Sequence, residues 1–174
     1  MLNITSAKEK DYTRVVDFYY SLIDAMENAE YKPGWEKDVY PTLKYLSESI
    51  DHGELYMGES DGNIISCMIV NHKYNEGYNS IKWSVDADDS EILVIHALGV
   101  HPDFSGRGIA KQMVQKVIDI ARQNGIKAIR LDVLDGNLPA EKAYIKMGFQ
   151  YIDTIQMFYE DTGMTAFKLF EFII

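Results

Sequence analysis

The segment Val100-His101-Pro102-Asp103-Phe104-Ser105-Gly106-Arg107-Gly108-Ile109-Ala110-Lys111 joins an apolar run to a stretch of helical periodicity. Gly106 and Gly108 sit where a helix would begin, and the first N–H groups of a helix have no intrahelical acceptor. Such a place binds anions, and bare glycine backbone lets an oxyanion approach closely. Arg107 and Lys111 add positive charge. Residues 101–130 also carry Lys116, Arg122, Lys127 and Arg130 against only Asp103 and Asp119, in a chain with 17 Lys+Arg, 27 Asp+Glu and a net charge of -10. A cationic island on an acidic chain suits a phosphate, although the same residues also fit an ordinary glycine-containing helix start followed by solvated lysines. Two known phosphate loops are excluded or disfavoured. No Gly-x-x-x-x-Gly-Lys-Ser/Thr occurs, and Gly-x-Gly-x-x-Gly fails at Lys111; only Asp132, on the next strand, keeps a dinucleotide-binding oxidoreductase open.

The loop resembles the signature of the GNAT superfamily of acetyl-CoA-dependent acetyltransferases, in which a strand ends in Val-x-Pro and leads to Arg/Gln-x-x-Gly-x-Gly/Ala. Here the corresponding residues are Val100-His101-Pro102 and Ser105-Gly106-Arg107-Gly108-Ile109-Ala110. A second stretch, Asn137-Leu138-Pro139-Ala140-Glu141-Lys142-Ala143-Tyr144-Ile145-Lys146-Met147-Gly148-Phe149, is similar to the family pattern Asn-x-x-Ala-x-x-x-Tyr-x-x-x-Gly-Phe. Ser105 departs from the usual Arg or Gln, which weakens one contact near a pyrophosphate and leaves the amide cradle intact. The resemblance implies that acetyl-CoA is the acyl donor, with no metal. Ser105 to Lys111 would hold its pyrophosphate, through Ser105, Gly106, Arg107, Gly108, Ile109, Ala110 and Lys111. The backbones of Leu98 and Val100, about a bulge near Gly99, would pair with the pantetheine arm, and Asn137 would hydrogen-bond the pantetheine or phosphate region.

The same resemblance makes Tyr144 the proton donor to the departing thiolate. Tyr144 lies roughly two helical turns from Asn137, so both face one side of a helix. His96 is the candidate base, because an imidazole titrates near neutrality and this one stands alone in the apolar run Ile92–Val100. Its strand is similar to that of arylalkylamine N-acetyltransferases, where a histidine takes part in proton removal; a hydrogen-bonded core histidine is the competing reading. Glu91, at the start of the strand, is the alternative base. His101 would position the loop, and Cys67 reads as core. The acceptor pocket expected from the family geometry has Trp35, Tyr40, Trp83 and Phe170, with Tyr159, as walls. Glu171 or the Asp86–Asp89 cluster would attract a cationic amine.

These residues need elements to hold them. Leu2–Thr5 reads as a strand, and a helix from Ser6 or Lys8 to about Asn28 follows from Val15, Phe18, Tyr19, Leu22 and Ile23. Pro33-Gly34 breaks the chain, and Pro41-Thr42-Leu43 opens a second helix to about Asp51. Glu54–Glu59 and Ile64–Asn71 form a hairpin about Asp61-Gly62. Tyr74–Ser90 is a strand fragment or an exposed loop. Ile92–Val100 is a central strand, apolar on both faces. Then come a helix over Gly106–Asn124 stopped by Gly125, a strand Ile129–Leu134, a helix Asn137–Met147, and strands Phe149–Met157 and Thr165–Phe172. This order predicts a mixed α/β (α+β) sheet. The resemblance implies six or seven strands, helices on both faces and a splayed acetyl-CoA cleft.

At 174 residues and 47% apolar, the chain suits a single domain over 1–174. Its net negative charge disfavours nucleic acid and anionic membranes. One cysteine permits no intramolecular disulfide, and no long apolar segment or signal-like N-terminus is present. A soluble cytoplasmic enzyme is expected, transferring acetyl from acetyl-CoA to a cationic primary amine of a small molecule or peptide. A homodimer follows from the resemblance only. The alternative is a noncatalytic acyl-CoA-binding module, which would have no use for the Tyr144 hydroxyl.

Overall fold

The computed structural model describes residues 2–174. Seven strands, β1 (Asn3–Ser6), β2 (Leu55–Ser60), β3 (Asn63–Asn71), β4 (Ile92–Val100), β5 (Ala128–Leu134), β6 (Gln150–Tyr159) and β7 (Gly163–Ile173), form one mixed sheet. Their order is β1-β2-β3-β4-β5-β7-β6. Four helices accompany them: α1 (Tyr12–Ala25), α2 (Leu43–Asp51), α3 (Ile109–Gln123) and α4 (Leu138–Lys146). The chain divides into two compact units, with β4 contributing Ile92–Ile95 to one and His96–Val100 to the other.

The first unit comprises the segment up to Glu30, Trp35–Val70 and His96–Lys116. Its helix starts later than the periodicity suggests. Lys8 N–H donates to Asp11 Oδ2 and a 3-10 turn over Glu9–Asp11 precedes α1, because the Asp11 carboxylate satisfies a backbone donor that a helix would otherwise leave open. Val15, Phe18, Tyr19 and Leu22 of α1 are buried with Leu46 and Ile50 of α2 against Leu55, Met57, Cys67 and Ile69. Thr42 caps α2 by accepting from Tyr45 N–H at 3.0 Å. The hairpin forms as its turn dictates: Asp61 and Gly62 both have positive φ, and Ser60 faces Asn63.

The second unit comprises Tyr31–Gly34, Asn71–Ile95 and Val117–Ile174. Here β4 pairs in parallel with β5 from Ile92 opposite Ala128 to Val94 opposite Arg130. β5 runs antiparallel to β7 as far as Leu134 opposite Phe167. Gly125 ends α3 in the left-handed conformation, and Ile126 N–H returns to Ala121 O. No strand forms in Tyr74–Ser90. That segment folds as a 3-10 turn over Glu76–Ser80 and irregular chain, anchored by Tyr78 and Trp83 on a core of Ile92, Val94, Met157, Phe167 and Leu169.

Candidate active site

In the first unit, β4 carries a left-handed residue, but at Ala97 (φ 49) and not at Gly99. The buried phenol of Tyr19 donates to the Ala97 carbonyl at 2.8 Å, which gives this oxygen at the kink a hydrogen-bond donor. Gly99 has a different purpose. A Cβ there would lie 2.4 Å from Leu22 Cδ2 and 3.3 Å from the Trp35 ring, so its missing side chain makes room for α1 and Trp35. His96, immediately before the kink, is half-buried with its ring edge-on to Tyr45.

Beyond β4, His101 accepts from Asp103 N–H and caps a short 3-10 turn over Pro102–Phe104. Arg107 folds back over the Phe104 ring and donates to Asp103 O at 3.2 Å. Gly106 (φ +75) and Gly108 (φ +72) are both left-handed, and a Cβ on either would meet nothing within 4 Å. Open space therefore lies beside the backbone that leads into the first turn of α3. The Gly108 carbonyl accepts from Gln112 N–H, which leaves the N–H groups before Gln112 as the unpaired start of the helix. Ser105 and Lys111 are exposed. This arrangement fits a pyrophosphate by space, polarity and charge.

In the second unit, Asn137 stands at the start of α4 but its side chain does not cap that helix. The loop before it is fixed by Glu141, which accepts from Gly136 N–H and from Lys168 Nζ at 2.8 Å. Tyr144 is partly buried, with its ring 5.5 Å from Phe149 and 6.4 Å from Phe170. Burial, and then the nearby charge of Asp132, push its phenol well above the ordinary range, so it stays protonated. Asp132 Oδ2 accepts from Tyr78 at 2.7 Å and from Tyr159 at 2.9 Å.

Several expected residues have other partners. Lys127 and the Asp88 N–H hold the Glu91 carboxyl below its usual range, a poor state for a base. Glu171 is fully buried and paired with Arg130 at 3.0 Å, so it offers no free charge to an amine. Within the Asp86–Asp89 cluster, Asp89 accepts from the Tyr74 phenol. Arg130 leaves the cationic island for the interior, where it lies 4.2 Å from the Trp83 ring. Phe170 is 1% exposed and packs behind Tyr144 and Tyr151. Trp35 and Tyr40 pack with Tyr19 and Tyr45 in the first unit. Burial pushes the Cys67 thiol well up, which suits a core residue. Tyr159 is an expected wall of the acceptor pocket, but Asp132 and Tyr78, which it joins here, carry no acceptor-binding expectation; their one local signal is the alternation of Arg130 and Asp132 within an apolar strand.

A family model described as Acetyltransferase (GNAT) family matches residues 19–149. The chain belongs to this family. The GNAT fold is shared with an acetyltransferase of Streptococcus agalactiae at TM-score 0.81 and 20% identity, covering 99% of this chain and 95% of that one. Arabidopsis thaliana NAA60, solved in complex with acetyl-CoA, matches at TM-score 0.71 and 16% identity over 100% and 99% of the two chains. The N-alpha-acetyltransferase RimI of Mycobacterium tuberculosis is 31% identical over 43% of this chain and 46% of its own length. The match thus spans less than half of that curated relative. Among the described residues, no group of three or more His, Cys, Asp or Glu could hold a metal, and no helix is long and apolar enough to cross a membrane.

Proposed function

We propose that this GNAT protein transfers an acetyl group from acetyl-CoA to a primary amine of a small molecule or peptide. The observation that carries this reading is the pair of left-handed glycines, Gly106 and Gly108, with open space beside them at the start of α3. Acetyl-CoA supplies the acetyl group as a thioester. Ser105, Gly106, Arg107, Gly108, Ile109, Ala110 and Lys111 hold the pyrophosphate, while Leu98, Gly99 and Val100 offer backbone to the pantetheine arm. Asn137, not engaged in capping its helix, hydrogen-bonds the same arm. Tyr144 holds a proton for the departing thiolate, and His96 receives one from the amine, directly or through water. Trp35 and Tyr40 in the first unit, and Trp83 in the second, are the acceptor contacts of this reading, with Phe170 packed on Tyr144.

The test is thermal and chemical. Acetyl-CoA raises the melting temperature, NADH and ATP do so far less, and thiol release appears with members of an amine panel. Gly108→Glu abolishes the acetyl-CoA shift by placing a carboxylate in the phosphate's space; the free variant loses only the roughly 1–2 kcal/mol of a left-handed non-glycine residue. Binding without thiol release from any amine would make the protein a binding module. Equal shifts with NADH would overturn the reading.

A further inference from the structure

We infer that Asp132, Tyr78 and Tyr159 form a recognition site for an ammonium group of the acceptor, and that this ammonium is not the one acetylated. The acceptor is then a diamine. The inference rests on the acetyl-transfer reading for the second half of that statement only.

The geometry is that of a counter-ion without its ion. Both phenols donate to one oxygen, Oδ2, which leaves Oδ1 for a third donor. Among the described residues no Lys, Arg or His forms an ion pair with Asp132. Arg130, two residues earlier on β5, is taken by Glu171 and by the Val85 carbonyl. Lys168 is taken by Glu141 and Asp135. Asp132 is half-buried, and a carboxylate already held by two phenols can take a charge-assisted hydrogen bond from an ammonium outside the chain. Asp161 adds further negative potential, and burial raises the Asp132 carboxyl while the two phenols oppose that rise. The phenols are themselves fixed: Tyr78 lies 5.2 Å from the Trp83 ring and 5.5 Å from Tyr74, and Tyr159 lies 5.0 Å from Phe167.

Chemistry then separates two nitrogens. A carboxylate favours the protonated form of the amine it holds, and a protonated amine has no lone pair with which to attack a thioester. The nitrogen on Asp132 is therefore an anchor, and a second, neutral nitrogen must react. Asp132 and Tyr144 lie in the same compact unit, so a short linear diamine is the acceptor to test.

The experiment compares a terminal diaminobutane with butylamine, by thiol release and by calorimetry with CoA present. The wild type should favour the diamine by about 10- to 100-fold, the scale of one charge-assisted hydrogen bond, chiefly through KM. Asp132→Asn keeps an oxygen for the phenols and should erase the preference by raising the diamine KM, with butylamine as the internal reference. Equal use of both amines by the wild type overturns the proposal whether or not the variant folds. So does an Asp132→Asn protein that retains the preference. Diamine binding that is lost in Asp132→Asn, without thiol release from any amine, supports the site and removes the acetyl-transfer reading.

Discussion

At the scale of single residues, the proposed proton transfers rest on Tyr144 and His96. Tyr144→Phe removes one hydroxyl and keeps the ring contacts with Phe149 and Phe170. Turnover should fall by about 10²–10⁴, the usual scale for an acid–base group, with little change in the acetyl-CoA Kd. Survival within a few-fold, where chemistry is rate-limiting, would make Tyr144 a packing residue. Because burial raises the phenol, its proton is retained through ordinary alkaline pH, and the alkaline limb of the wild-type profile should not belong to it. His96→Gln should depress turnover mostly at lower pH and recover in alkaline buffer, where the amine loses its proton unaided. An equal loss at every pH would mark a structural role.

At the scale of elements, β4 is shaped from outside itself. Gly99→Ala introduces no left-handed strain, since Gly99 is absent from the positive-φ residues; it drives a methyl group into Leu22, which is 1% exposed. Overpacking of this kind costs about 1–3 kcal/mol. A lower midpoint in urea with an unchanged slope is expected, and an unchanged midpoint would show that α1 yields without cost.

For the molecule as a whole, the proposed recognition role of Asp132 carries a consequence for stability. Folding raises its carboxyl above the unfolded value of about 3.9, so the native state binds more protons between the two pKa values. Stability from this group therefore falls as pH rises through that window, and the cost is fully present once the pH is above the folded pKa. Asp132→Asn should raise the melting temperature at neutral pH, with the gain shrinking as the pH falls below the folded pKa. A lower melting temperature at neutral pH would mean that the ionised carboxylate holds the fold together.

What the sequence determined by itself was local. The Asp61-Gly62 hairpin, the Thr42 cap, the Gly125 stop and the left-handed Gly106 and Gly108 each follow from a few neighbouring residues, because turns and helix ends depend on φ preferences and short-range hydrogen bonds. The periodicity of α1 and α3 belongs to the same class. Tertiary structure alone decided the rest. The kink at Ala97 is met by Tyr19, 78 residues away, and Asp132 gains Tyr78 and Tyr159 from 54 and 27 residues away. Glu171 is paired with Arg130, 41 residues away. Whether a carboxylate is spent in an ion pair or left for a ligand depends on which distant side chains surround it, and spacing along the chain carries no record of that.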